Sequence, residues 1–232
     1  MIDCYFAPTP NGQKVSILLE ETGLPYTTRL VNILKGEQFE PEFLKISPNN
    51  KIPAIVDHDG PGGKTFSVFE SGAILMYLAE KTNRFLPKDR GRRYDVIQWL
   101  MFQMGTVGPM FGQTHHFFNY APTKIPYAMN RYKKETQRIY SVLDKRLSEN
   151  EFIAAGEYTI ADISIYPWVA AHKAHQVHLS DFPNVKKWTD MMKSRDAVQK
   201  GFNLMRSQIR DPGTYDDESK KILFGIDKES GT

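Results

Sequence analysis

The sequence predicts an α/β layer with a mixed sheet over the first 85 residues and an all-helical half after it. Three observations carry that expectation. Short apolar or β-branched runs alternate with helical patterns as far as Thr82; a polar connection, LPKDRGRRYD, begins at Leu86; and beyond it every long periodic segment has helical spacing. The expected division is residues 1–85, a linker at 86–93, a helical domain at 94–206 and a tail at 207–232.

Taken in order, IDCYF (2–6) reads as a strand that stops at APTPNG, where Pro8 and Pro10 lock the turn into a helix spanning Asn11–Gly23. That helix has Val15, Leu18 and Leu19 on its apolar face and ends at Gly23 with Pro25 beyond. TTRLVNI (27–33) is β-branched and reads as a second strand, and PEFLKIS gives a helical turn over 41–46 with Pro41 at its start. AIVDH and FSVFE flank the turn-rich DGPGGK and form a hairpin; SGAILMYLAEKT (71–82) is a helix. In the second half YDVIQWLMFQM is helical, and Tyr132, Thr136, Ile139, Tyr140, Leu143 and Leu147 recur at helical spacing within the segment from Ile125 to Asn150. The next helix opens with Thr159-x-x-Asp162, the acidic form of the reciprocal cap, and NVKKWTDMMKS and DAVQKGFNLMRS complete the set. The tail is polar with one apolar knot, Ile222 to Phe224, through which it packs locally or else stays partly disordered.

Composition narrows the function. Net charge is +3, with 8 basic and 10 acidic side chains in residues 1–86 and 22 and 17 in the rest, so no basic block exists to neutralise a row of phosphates and nucleic acid is not an expected partner. Apolar stretches are far short of the roughly 20 residues that cross a bilayer, and MIDCYFAP lacks a basic n-region, which reads as an intracellular, cytoplasmic protein without a membrane partner. Cys4 is the single cysteine, which excludes an internal disulfide and a Cys-x-x-Cys pair; within a strand it reads as a core residue. Thiol chemistry here needs a thiol from elsewhere.

Four stretches are suited to a ligand. In SPNNKIPAIV the Ile52-Pro53 step is either a cis bond that turns the Ile52 N–H and C=O toward an extended peptide, or simply the start of a strand. FESGAI places Glu70 and Ser71 at a strand-to-helix passage. Free N–H groups and the serine hydroxyl there suit a carboxylate, Gly72 gives room, and Glu70 suits an ammonium, as at the α-amino-acid end of a ligand; the other reading is a plain serine N-cap. Thr9 and Asn11 lie at the positive end of the first helix, which lowers a thiol below its usual value of about 8.5; Asn11 also reads as the N-cap. Gln38 and Lys51 supply donors for a second carboxylate. Metal ligation is not expected: His115 and His116 point to different sides of a helix, and His172, His175 and His178 drift about 60° across one, so both sets read as surface or interdomain histidines. Trp99, Phe102, Phe111, Phe117, Phe118, Tyr127 and Tyr132 read as core, some of them lining a site.

Together these stretches resemble the glutathione transferase superfamily from Met1 to about Arg206. APTPNGQKVSILLEE, EFLKISPNNKIPAIVD, FESGAILMYLAEKT, GPMFGQTHHF, PYAMNRYKKETQRIY and YTIADISIYPW look like its nu class, disulfide-bond oxidoreductases related to the glutathione-binding domain of the yeast nitrogen-regulation prion. The resemblance implies a thioredoxin-like N-terminal domain with a four-stranded sheet, glutathione as co-substrate, no metal, and a homodimer with each site near the interface. It also implies that Ile52 pairs with the cysteinyl backbone, Glu70 and Ser71 hold the γ-glutamyl end, Gln38 and Lys51 attend the glycyl end, Thr9 and Asn11 face the sulfur, and Arg131 reaches a second glutathione or the oxidised form. Through GQTHHF the resemblance leaves open a second reading of His115 and His116, on the cleft wall instead of the surface. Where other classes carry tyrosine, serine or cysteine, this chain has Thr9 or Asn11, which implies weak conjugation. The activity implied is reduction of a substrate disulfide by bound glutathione thiolate, with minor transferase or peroxidase turnover. The competing reading is a glutathione-binding regulatory module with little turnover.

Overall fold

A computed structural model of the chain describes residues 1–208 and 215–225. Four strands, β1 (Ile2–Phe6), β2 (Tyr26–Leu30), β3 (Ala54–Asp57) and β4 (Phe66–Phe69), form one sheet in the order β2-β1-β3-β4. β1 and β2 are parallel, joined through α1 (Pro10–Thr22), while β3 and β4 each run antiparallel to their neighbour. This is the mixed sheet the alternation predicts. α2 (Pro41–Leu44) and α3 (Ser71–Thr82) complete this half. The β2 strand is shorter than the β-branched run: Val31 still donates to the Phe6 carbonyl at 2.8 Å, but the Asn32 side chain then accepts from the Leu34 N–H at 3.2 Å and turns the chain away.

Alternation along β1 puts Ile2, Cys4 and Phe6 in the main core with Val15, Leu18 and Leu19 of α1 and Ile74, Leu75 and Leu78 of α3. Cys4 is fully buried, as its place in the strand suggests, and burial pushes its thiol up to about 12. Tyr5 faces the other way, onto a small cluster of Val31, Phe43 and Ala54.

The helical half comprises α4 (Arg90–Phe102), α5 (Gly108–His115), α6 (Pro126–Glu149), α7 (Ile160–Ala170), α8 (Pro183–Ser194) and α9 (Asp196–Asn203), with π-helical turns at Gln103–Val107 and His116–Tyr120. α4 starts inside the stretch expected to be linker, because the Asp89 side chain accepts from the Arg92 N–H at 2.9 Å and caps it. The reciprocal cap predicted at Thr159 and Asp162 is present, and both residues are buried. A last helix, α10 (Asp217–Phe224), is capped by Asp216; the rest of the predicted tail, 209–214 and 226–232, lies outside the described residues.

Contact between the halves alters one expectation. α1 is buried not on one face but from Gly12 through Leu19. It lies between the sheet and the helical half, where Gly201 of α9 lets the two helices meet: a methyl there would collide with the Ile17 backbone. Ser16 Oγ donates to the Gly201 carbonyl at 2.7 Å and Gln13 Nε2 to the Phe202 carbonyl at 3.0 Å. Of the aromatics read as core, Phe111 is buried, whereas Tyr127 is 80% exposed near the start of α6.

Candidate functional site

The APTPNG junction closes tightly. Thr9 N–H donates to the Ala7 carbonyl at 2.7 Å, Pro10 takes the first helical position, and a Cβ on Gly12 would collide with the Ala7 carbonyl oxygen. The N-cap is Thr9, with extended backbone and Oγ1 accepting from the Gly12 N–H at 3.3 Å. Asn11, expected to be the cap, is instead inside the first turn. Its Oδ1 accepts from the Trp168 indole at 3.0 Å across the domain boundary. An indole N–H only donates, so that bond fixes the amide: oxygen toward Trp168, NH₂ away from it. Three donors then have no acceptor among the described residues: the Thr9 hydroxyl, the Asn11 N–H and the Asn11 amide. At the positive end of α1 such a set stabilises an anion.

The Ile52-Pro53 bond is cis, and β3 begins one residue beyond it, at Ala54. Ser47 Oγ donates to the Lys51 carbonyl at 2.8 Å and steadies the loop, while no hydrogen bond among the described residues reaches the Ile52 backbone. Glu70 is the residue that precedes α3, with φ of 69°, a conformation costing a non-glycine residue about 1–3 kcal/mol. Its side chain makes no cap; Asn49 Nδ2 donates to Oε1 at 3.4 Å. Ser71 is thus the first helical residue and not the N-cap. Its hydroxyl lies 3.3 Å from Lys14 Nζ and 3.7 Å from Met104 Sδ. Met104 also fills the space over Gly72, so that glycine serves packing of the 103–107 turn and not the approach of a ligand.

A cavity of about 220 Å³ brings together Thr9, Asn11, Gln38, Lys51 and Ile52, walled also by Ile33, Asn50, Trp168 and Leu223. Gln38 is buried; Nε2 donates to the Ile33 carbonyl at 3.3 Å, leaving one N–H and an unpartnered Oε1. Glu70 and Ser71 are off this wall, connected to its loop through Asn49. Arg131 is exposed on α6 and is not among the residues of the cavity. Trp168 and Leu223 escape a sequence reading. An indole N–H signals only that it needs an acceptor, not that the acceptor is Asn11.

Trp168 also borders a second cleft, of about 420 Å³, with Gly112, His115, His116, Tyr120 and Phe224. Burial, with His116 adding to it for His115, lowers the pKa of both histidines and favours neutral rings. His175, read as a surface or interdomain residue, is fully buried against Phe111, His115 and Trp168, and burial takes it down to about 3. The knot in α10 packs through contacts with segments far away in the chain and not locally: Phe224 stacks on Tyr120 at 4.6 Å between ring centres, and Leu223 reaches the first cavity. Among the described residues no three His, Cys, Asp or Glu side chains converge as metal ligands, and no helix is long and apolar enough to cross a membrane.

Comparison with known proteins agrees with this arrangement. The family model described as glutathione S-transferase, N-terminal domain, matches residues 9–81, and the C-terminal domain model matches residues 110–196. The disulfide-bond oxidoreductase YfcG of Escherichia coli K12 is 52% identical over 212 residues, 91% of this chain and 98% of that one. A glutathione transferase from Pseudomonas putida, solved with one glutathione disulfide bound per subunit, is 44% identical with a TM-score of 0.83, covering 88% of this chain and 91% of that one. One from Burkholderia graminis, with two glutathione molecules bound per subunit, is 45% identical with a TM-score of 0.84, covering 88% of each chain. With both domains matched in order and the relatives similar over nearly their whole lengths, the chain belongs to the glutathione S-transferase family.

Proposed function

We propose that the protein is a glutathione-dependent disulfide-bond reductase of the cytoplasm. The observation that carries this is the cluster of free donors at Thr9 and Asn11 on a cavity that holds no cysteine. A sulfur anion suits that spot, and the ligand has to bring it. The name of YfcG and the glutathione disulfide in the P. putida relative support the same chemistry. Ile52 pairs with the cysteinyl backbone of glutathione, Glu70 and Ser71 take its γ-glutamyl ammonium and carboxylate, and Lys51 with the remaining N–H of Gln38 attends its glycyl end. Thr9 and Asn11 hold the thiolate, which attacks one sulfur of the substrate disulfide and expels the other as thiolate. A second glutathione thiolate then attacks the mixed disulfide. It releases glutathione disulfide and the second substrate thiol, so two glutathiones supply the two electrons. Arg131 meets that second glutathione, or the far half of glutathione disulfide. Weak donors at the sulfur leave conjugation and peroxide reduction as minor activities.

The test is turnover of glutathione with a small dialkyl disulfide, coupled to NADPH through glutathione reductase. Saturable turnover is expected, and a rate no higher than the uncatalysed one sinks the reductase reading in favour of a binding module. In the same assay Cys4→Ala keeps most of the activity, since a fully buried thiol held up at about 12 supplies almost no thiolate at neutral pH. A large loss would mean the wrong sulfur has been chosen.

A homodimer is part of this reading. It is supported by Phe66 and Phe69 on the edge strand β4 and by Tyr94 and Met101 on α4, all exposed. Light scattering should give about twice the 26.6 kDa chain mass; a single-chain mass would refute it.

A further inference from the structure

One ionisable group beside the site has no part in the chemistry above. Lys14, in the second turn of α1, is 1% exposed. Its Nζ lies 2.6 Å from Gln103 Oε1, in the π-helical turn of the helical half, and 3.3 Å from Ser71 Oγ at the start of α3. Both partners are neutral. None of the ion pairs among the described residues includes Lys14. Among the described residues the charged group that acts on it is Glu70, from the start of α3; the 103–107 turn offers only uncharged Gln103 and Met104, and the other charges of α1, Glu20 and Glu21, lie at its far end. A buried ammonium that makes no ion pair is unfavourable, and methionine would fill the same channel without that penalty.

We propose that Lys14 is the counter-charge, set beneath the floor of the site, for the carboxylate at the α-amino-acid end of a ligand held by Ser71. The inference rests on the reading of Glu70 and Ser71 as the γ-glutamyl site. The geometry gives the route. Nζ donates to Ser71 Oγ and so takes up acceptor capacity of that hydroxyl, whose own proton goes only to the weak acceptor Met104 Sδ at 3.7 Å and can turn from it toward a ligand. A carboxylate accepting that proton is one hydroxyl away from the ammonium, in surroundings that screen little. Lys14 is therefore a positioning residue that acts through Ser71, and it touches neither sulfur nor substrate disulfide. The Gln103 bond ties the same ammonium to the helical half, so the domain contact is part of what aims it.

A consequence follows for protons. Burial lowers Lys14 to about 7, against the opposing pull of Glu70. A bound carboxylate favours the charged form and moves the value up, so ligand binding takes up a proton at slightly alkaline pH. Affinity then falls as pH rises above about 7, by at most tenfold per unit, until the liganded value is passed.

The test is calorimetric titration of the full chain with S-methylglutathione, whose sulfur does not ionise, at pH 7.5 and 8.5 in phosphate and in Tris. These two buffers differ in ionisation heat and so report proton uptake. The wild type should take up a substantial fraction of a proton per site and bind more weakly at the higher pH. Lys14→Met should bind about 10- to 100-fold more weakly with no uptake and a flat pH profile. Lys14→Arg, charged throughout, should recover much of the affinity without the uptake. Tight wild-type binding with no proton uptake overturns the proposal and needs no variant to do so. Uptake that persists in Lys14→Met also overturns it, and both results leave the glutathione site standing. Failure of the wild type to bind S-methylglutathione at any pH overturns the site reading, and this proposal with it.

Discussion

Asp162→Ala should lower the melting temperature by about 8–16 °C, a loss on the order of 4 kcal/mol for a chain of this size. The carboxylate is fully buried and accepts four bonds. Oδ1 takes the Ile153 N–H at 2.9 Å and the Trp188 indole at 3.0 Å, while Oδ2 takes the Thr159 N–H at 3.0 Å and the Thr159 hydroxyl at 3.2 Å. The hydroxyl can rotate to another partner, but the other three donors cannot leave the interior. Each orphaned N–H costs about 1–3 kcal/mol before relaxation. Asp162→Asn should rescue little, because its NH₂ would face donors where a second oxygen is needed. Activity should fall along with stability, since α7, which this cap starts, carries Trp168 to Asn11. Thermal melts followed by circular dichroism give the answer. A fall of under about 3 °C would mean that water or neighbouring carbonyls replace the carboxylate.

That cap was legible in the sequence because a capping box is local: four consecutive residues contain donor, acceptor and spacing. The β1 strand and the Ile52-Pro53 step were legible for the same reason. The first helix shows where local rules stop. Asn is a strong capping residue, which favours Asn11, but Pro10 fits the first helical position and moves the cap to Thr9. The two-residue shift decides the chemistry, since it frees the Asn11 amide to meet Trp168, 157 residues away. No periodicity carries information of that range. Lys14 was hidden by the same limit: a lysine next to Val15 reads as the solvent side of an amphipathic helix until the 103–107 turn and the start of α3 cover it. His175 and Leu223 are likewise placed by packing between segments far apart in the chain. What stayed legible was that Thr9, Asn11, Gln38, Lys51 and Ile52 share one cavity, though not that Ile33 and Asn50 wall it too, because the turns presenting Thr9, Lys51 and Ile52 are each built by neighbours in sequence.

Asn11→Asp should leave the fold intact and lower the rate of glutathione-dependent disulfide reduction at pH 7 by roughly 10- to 100-fold. The change is nearly isosteric and keeps an oxygen for the Trp168 indole, so the contact between the halves survives. A carboxylate in the first turn also interacts favourably with the helix dipole, by about 0.3–1 kcal/mol, so the variant should melt no lower than the wild type. The same charge, however, replaces a donor with an anion where the sulfur anion is to sit. Two like charges a few ångströms apart in a half-buried cavity raise the thiol pKa, and a rise of about 1–2 units removes thiolate at neutral pH in the proportion stated. The rate should therefore recover as pH is raised, whereas the KM for glutathione should change little, because the anchors proposed at Ile52, Glu70 and Ser71 are untouched. Asn11→Ala separates the two functions of the residue. It adds no repulsion but orphans the Trp168 indole, so its rate should fall less than that of Asn11→Asp while its melting temperature falls more. If both variants instead lose glutathione affinity in step with kcat, Asn11 is an anchor for the ligand, and the thiolate must be stabilised by Thr9 and the backbone alone.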